Sequence, residues 1–126
     1  MRWLVDASNV IGSKPDGWWR DREAATRRLI EQLEAFAESS GDPVTVVLDA
    51  GPSELARQTG GVEVVLARRR GRDAADDEIV RALEAAEAPG DFRVATSDVA
   101  LAERARALGA EVEGARTFRD RLEPAA

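Results

Sequence analysis

The chain contains no cysteine, no histidine and no tyrosine. Disulfides, a thiolate nucleophile, an imidazole base, a zinc-finger ligand set and a tyrosine nucleophile are therefore all excluded. Whatever proton transfer or cation binding occurs must fall to carboxylates. The lack of cysteine agrees with a reducing compartment. No apolar run approaches the roughly 20 residues that span a bilayer, so no membrane association is expected. The chain enters a strand-like run at once, without the basic segment, apolar stretch and small-residue cleavage site of a signal peptide, and a cytoplasmic location is predicted. Neither Gly-x-x-x-x-Gly-Lys nor Gly-x-Gly-x-x-Gly occurs, which removes the Walker-type and dinucleotide-binding readings. Lysine is almost missing as well: of 18 basic residues only Lys14 is a lysine, so positive charge is carried by planar guanidinium forks suited to carboxylate and phosphate.

What remains is an ordinary globular composition, 44% hydrophobic and 33% charged, in a length of 126 residues that fits one domain spanning 1–126. A chain of this size buries roughly two thirds of its unfolded surface without covalent staples. The formal net charge of −6 argues against gripping nucleic acid through an overall basic field. A local basic patch could still do so, and divalent cations among crowded acids would neutralise part of that charge.

Periodicity predicts alternating strands and helices. Arg2 to Asp6 reads as a first strand, followed by a loop from Ala7 to Arg20 that holds Gly12, Pro15 and Gly17. Asp21 is placed to cap a helix whose apolar residues Ala25, Leu29, Ile30, Leu33, Phe36 and Ala37 share one face and which stops before Gly41. Val44 to Leu48 is a continuous β-branched run, as expected of a central strand covered on both faces. A short helix from Pro52 through Arg57, a turn at Gly60 and Gly61, and a strand from Val62 to Leu66 follow. Asp73 is read as the cap of a helix from Ala74 to about Ala88, with Asp73 and Asp76 resembling a capping box. Phe92 to Ala95 is a fourth strand, Val99 to Leu108 a further helix, Glu111 to Glu113 a last short strand, and Thr117 to Leu122 a final turn. Such βαβ units imply right-handed crossovers and a three-layer α/β/α sandwich around a central, mostly parallel sheet.

In an open parallel sheet, ligands bind beyond the carboxyl ends of the strands. Asp6, Asp49 and Asp98 all fall at that edge, and Asp76 with Asp77 begins the helix that leads away from it. Each alone is explained as a helix cap or as a negative charge opposing a helix dipole. Together they would crowd like charges, which is costly unless protons or cations intervene. Asp76 is the preferred ligand of its pair; Asp77 is read as ligand, supporting acid or solvated helix start. Oxygen-only donors select hard cations such as Mg²⁺ or Mn²⁺, whose natural work is phosphoryl chemistry without a protein nucleophile.

Asp6-Ala7-Ser8-Asn9-Val10-Ile11, Val46-Val47-Leu48-Asp49, Ala75-Asp76-Asp77-Glu78-Ile79 and Val94-Ala95-Thr96-Ser97-Asp98 resemble, in order and spacing, the successive motifs of YacP-like NYN domains within the PIN-like nucleases. The resemblance runs from Met1 to about Phe118. It implies a PIN-like parallel sheet, a divalent-metal site and RNA hydrolysis, with an endoribonuclease favoured. It also implies Asp6, Asp76 and Asp98 as catalytic metal carboxylates, Asp49 as a fourth acid, and Asn9, Thr96 and Ser97 as polar supports. The family usually has glycine after its first acid, where this chain has Ala7.

Arg68, Arg69, Arg70 and Arg72 could present bidentate donors to phosphates, or form a solvated turn; Arg20 and Arg22 would extend that surface. Trp18 and Trp19 are candidates for stacking on an unpaired base, one ring anchoring the loop while the other is offered, with burial of both as the alternative. Trp3 is assigned to the core, and Lys14 either reaches phosphate or meets solvent. The expected partner is single-stranded or flexible RNA, met free or within a ribonucleoprotein such as the ribosome; oligomeric state is left open. A non-catalytic RNA-binding or protein-interaction module of the same fold is the main alternative. A phosphatase of the phosphoaspartate kind would need Asp-x-Asp after the first strand, where residues 6–8 read Asp-Ala-Ser.

Overall fold

A computed structural model describes residues 1–68, 71 and 73–123. Six strands, β1 (Arg2–Asp6), β2 (Val44–Leu48), β3 (Gln58–Thr59), β4 (Val62–Leu66), β5 (Phe92–Ala95) and β6 (Glu111–Glu113), form one sheet in the order β3-β4-β2-β1-β5-β6. Every pairing is parallel except β3 with β4, so the sheet is mostly parallel as expected. Among the described residues five α-helices connect and cover it: α1 (Ala7–Ile11), α2 (Arg22–Ser40), α3 (Ala74–Ala85), α4 (Val99–Ala107) and α5 (Ala115–Leu122).

The three layers follow from side-chain alternation along the central strands. On one face Trp3 and Val5 of β1 and Val44, Val46 and Leu48 of β2 pack with Leu29, Ile30 and Leu33 of α2 and Phe118 of α5. On the other face Leu4, Val47 and Val94 pack with Ile79, Val80 and Leu83 of α3 and Leu101 and Ala105 of α4. Trp3 is 3% exposed, its ring 4.7 Å from that of Phe118 and 5.8 Å from that of Phe36, so its assignment to the core holds. Asp21 caps α2 by accepting the Ala24 N–H at 3.0 Å, again as read from the sequence.

Several local expectations are corrected. The segment read as an unbroken loop begins with α1, whose five residues follow Asp6 directly. Val10 and Ala7 explain it: both are buried against the sheet, and packing outweighs the brevity that hid the pattern. The helix expected from Pro52 to Arg57 is only a 3₁₀ turn at Ser53–Leu55, held by the burial of Leu55. After it comes β3, a two-residue strand paired antiparallel to β4 that was not anticipated. Gly60, at φ 57°, makes the tight turn between them, and a Cβ at Gly61 would lie 3.0 Å from the Ala37 side chain of α2. Helix α3 ends at Ala85 rather than near Ala88. Asp73 precedes α3 but its side chain makes no cap hydrogen bond, so the capping-box reading fails. The expected final turn is a full helix, α5, begun at Ala115 because Ala115, Phe118 and Leu122 bury one face.

Candidate active site

Three neighbouring parallel strands end at the same edge, and each is followed by an acid. Asp6 closes β1, Asp49 follows β2, and the segment Thr96-Ser97-Asp98 follows β5. Since β1 lies between β2 and β5, Asp6 occupies the middle of this edge. Asp76 joins from the first turn of α3, the helix that leaves the edge after β4.

Asp6 is 2% exposed, and with Thr96 it is one of two buried polar residues in the described core. Thr96 Oγ1 donates to Asp6 Oδ2 at 3.1 Å, and Ser8 Oγ donates to Asp6 Oδ1 at 3.3 Å. Burial raises the Asp6 pKa above the ordinary carboxylate value; hydrogen bonds from Thr96, the Asn9 backbone and Ser8 oppose the rise and the charge of Asp49 adds to it. Asp76 is pushed up to about 6, first by desolvation and then by the charges of Asp6, Asp98 and Asp73, with Arg104 partly offsetting them. Thus Asp6 lies within electrostatic reach of Asp49 and Asp76, and Asp76 within reach of Asp98. Among the described residues, however, no three acidic side chains stand in a ready-made coordination cluster.

The cap explanation applies most directly to Asp98, which accepts the Leu101 N–H of α4 at 3.0 Å, whereas the Asp6 carboxylate also accepts from the Thr96 and Ser8 hydroxyls. Asp77 pairs with Arg104 at 3.5 Å across the gap from α3 to α4. Thr96 Oγ1 also accepts the Asp98 N–H at 3.1 Å, so one hydroxyl links the two acids. Asn9 Oδ1 accepts the Ser97 N–H at 2.9 Å, and Ser97 Oγ accepts the Ala115 N–H at 2.8 Å. Asn9, Thr96 and Ser97 therefore join α1, the loop after β5 and the start of α5 around the acids. Ala7 is buried in the right-handed helix α1, and no non-glycine residue described has positive φ, so alanine in that place costs no backbone strain.

The basic candidates separate. Arg68 is exposed, its backbone N–H bonded to Glu78 Oε1 at 3.2 Å and its guanidinium 3.6 Å from the same carboxylate. Arg69, Arg70 and Arg72 lie outside the described residues. Lys14 is tied to α5 through Asp120 and Glu123, each at 2.8 Å. Arg20 is exposed. Arg22 sits 5.4 Å above the Trp18 ring.

Trp18 is half-buried and Trp19 is 50% exposed, the two rings packed edge to face at 5.9 Å. Trp18 lines a cavity of about 390 Å³ that the sequence did not announce, bounded also by Ser8, Ile11, Arg22, Leu48 and Asp49. Arg119 of α5 was missed too. Its guanidinium donates to the Ile11 carbonyl at 2.8 Å and the Val10 carbonyl at 3.4 Å and pairs with Asp16, fixing the end of α1 and the loop beyond it. Neither feature has a local sequence signal, because each depends on residues brought together from distant segments.

The model of the family described as the YacP-like NYN domain matches residues 3–126. Two crystal structures of Rae1 (YacP) from Bacillus subtilis share the fold at 25% identity. One superposes with a TM-score of 0.76 over 97% of this chain and 73% of that one. A tryptophan-to-leucine variant gives 0.73, covering 97% and 74%. A comparison with curated proteins gives no match. No described helix is long and apolar enough to cross a membrane.

Proposed function

Since this chain belongs to the YacP-like NYN domain family of PIN-like nucleases, we propose that it is a metal-dependent ribonuclease, cutting internal phosphodiester bonds of single-stranded or flexible RNA. The observation that supports this most is the mutual electrostatic pressure on Asp6 and Asp76. Both carboxyls are raised by burial and by other acids, the energetic condition that a bound cation relieves.

The donor chemistry fits a hard divalent ion. Asp6, Asp76 and Asp98 would hold Mg²⁺ or Mn²⁺, with Asp49 as a fourth acid and Asp77, through Arg104, a supporting one. When bound, such an ion supplies an activated water and stabilises the charge that develops on the phosphate and leaving oxygens. The chain's own residues do the positioning. Thr96 fixes the rotamer of Asp6 and the backbone of Asp98 with one hydroxyl. Asn9 and Ser97 hold the loop after β5 against α1 and α5, so the acids sit on anchored elements. Arg68 offers an exposed guanidinium on the β4-to-α3 connection for flanking phosphates, and its companions Arg69, Arg70 and Arg72 belong to the same proposal. Lys14, engaged by two carboxylates, is better read as anchoring its loop to α5.

The test is cleavage of an end-labelled, unstructured RNA in Mn²⁺ or Mg²⁺. Internal cuts that stop on chelation and disappear in Asp98→Asn are expected. Binding of that RNA without cleavage in either metal would overturn the enzyme reading in favour of a binding module.

A further inference from the structure

The cavity beside the acids has no part in the hydrolysis as described. At about 390 Å³ it falls toward the low end of the roughly 300–1,000 Å³ of small-ligand pockets. Its walls are mainly apolar: Ile11 from α1, Leu48 at the end of β2, Leu55 from the following turn, and the ring of Trp18. Two ties connect it to the acidic edge. Ser8 lines the cavity and also donates to Asp6 Oδ1, and Asp49 lies on its rim while its charge reaches Asp6. These ties put the cavity next to the acids, where a strand with one phosphate over them can present a neighbouring nucleotide.

Charge decides which part of that nucleotide could enter. Asp49 borders the cavity and would repel a phosphate, while the other acid there, Glu23, is paired with Arg27 at 3.3 Å; a flat, neutral ring instead gains stacking and apolar contact. Among the described residues the one cation in the lining is Arg22, whose guanidinium lies over the Trp18 ring at 5.4 Å. We propose that this cavity receives one unpaired nucleobase of the RNA, next to the phosphodiester held at the acids, stacked on Trp18 and seated against Ile11, Leu48 and Leu55. The proposal rests on the ribonuclease reading and adds a binding subsite to it. Recognition of this kind reads the presence of a base more than its identity, because every base has a stacking face.

The test moves a single abasic residue along a short oligoribonucleotide with a mapped cut, measuring KM and kcat in Mn²⁺ and, in parallel, Kd by fluorescence anisotropy in EDTA. One position beside the cut should raise KM and Kd by roughly 5- to 150-fold, the range for a lost base-aromatic stack. Exchanging the base there among the four nucleotides should matter much less. Thr26→Trp, which fills the cavity from α2, should weaken the intact oligonucleotide similarly and erase the difference between intact and abasic strands. Uniform tolerance of abasic residues in wild-type protein would overturn the proposal, as would a penalty undiminished in a folded Thr26→Trp variant. If Thr26→Trp does not fold, the wild-type abasic scan decides alone. RNA bound but never cut, with the abasic penalty visible in Kd, would sink the nuclease reading and leave the base site standing. No RNA binding or cleavage at all would sink both.

Discussion

Thr96 Oγ1 reaches 3.1 Å from Asp6 Oδ2, joining side chains that stand 90 positions apart in the chain and are both buried. The same oxygen accepts the Asp98 N–H, so this hydroxyl is at once donor to one acid and acceptor from the backbone of another. Its geometry aligns the ends of β1 and β5, two of the three strand ends that carry the acids.

Replacing Thr96 by valine keeps the shape and removes both bonds. A buried carboxylate and a backbone N–H lose their partner, which should cost about 1–3 kcal/mol of stability. The Asp6 carboxyl should also rise further, because the hydroxyl is among the groups that hold it down. Urea unfolding and a carboxyl titration by NMR check the two effects; an unchanged unfolding midpoint would show that the hydroxyl does not fix this edge.

Asp98 serves as helix cap as well as proposed ligand, and two substitutions separate the roles. Asparagine retains an oxygen for the Leu101 N–H, so Asp98→Asn should lose cleavage with little change in thermal midpoint. Alanine removes the cap too and should cost about 0.5–2 kcal/mol more. Equal stabilities of the two variants would contradict the cap assignment.

Asp76 gives the metal-free protein a pH dependence of definite sign. Its folded pKa of about 6 lies above the ordinary 3.8, so the folded state keeps a proton that the unfolded chain has released. The group's contribution is fully favourable below about pH 4 and is lost as pH rises through about 6. In EDTA, wild-type protein should therefore gain less, or lose more, than Asp76→Asn between pH 5 and 7.5 when melting temperatures are compared. Parallel curves for the two proteins would refute the assignment. Added Mn²⁺ should close the gap at the higher pH, since a bound cation compensates the ionised acid.

Arg119 ties α5 to the end of α1 and to Asp16. Arg119→Met keeps the aliphatic stem but strips the donors from two carbonyls and the partner from a carboxylate. Asp16 is held below the usual carboxylate range because, although burial would raise it, the hydrogen bond and charge of Arg119 outweigh that effect. A loss of about 1.5–3 kcal/mol is expected, with faster proteolysis between residues 12 and 20. Retained stability and protease resistance in this variant would count against an anchoring role.

The alternation of apolar runs and amphipathic stretches made the parallel sheet legible in advance, down to Arg2–Asp6, Val44–Leu48 and Val62–Leu66. Helix α2 was equally plain, since Asp21 and the spacing from Ala25 to Ala37 announce both its start and its buried face. Short elements were not. α1 spans five residues and β3 two, too few for a periodic signal, and each forms through contacts with residues far along the chain. The acids of the candidate site could be named because each closes a strand or opens a helix. What each one touches could not be named, for Asp98 caps the helix that follows it whereas Asp6 accepts from Thr96, far along the chain.

By itself, the sequence determined the chemical repertoire and the layer architecture, since residue types limit the possible donors and hydrophobic spacing dictates which faces must be covered. Tertiary structure alone decided how Thr96 links Asp6 to Asp98, how far Asp76 is pushed toward neutrality, and that a cavity opens beside Asp49. Hydrogen-bond geometry, desolvation and enclosed volume arise only where segments meet in space, and no local pattern of residues encodes that meeting.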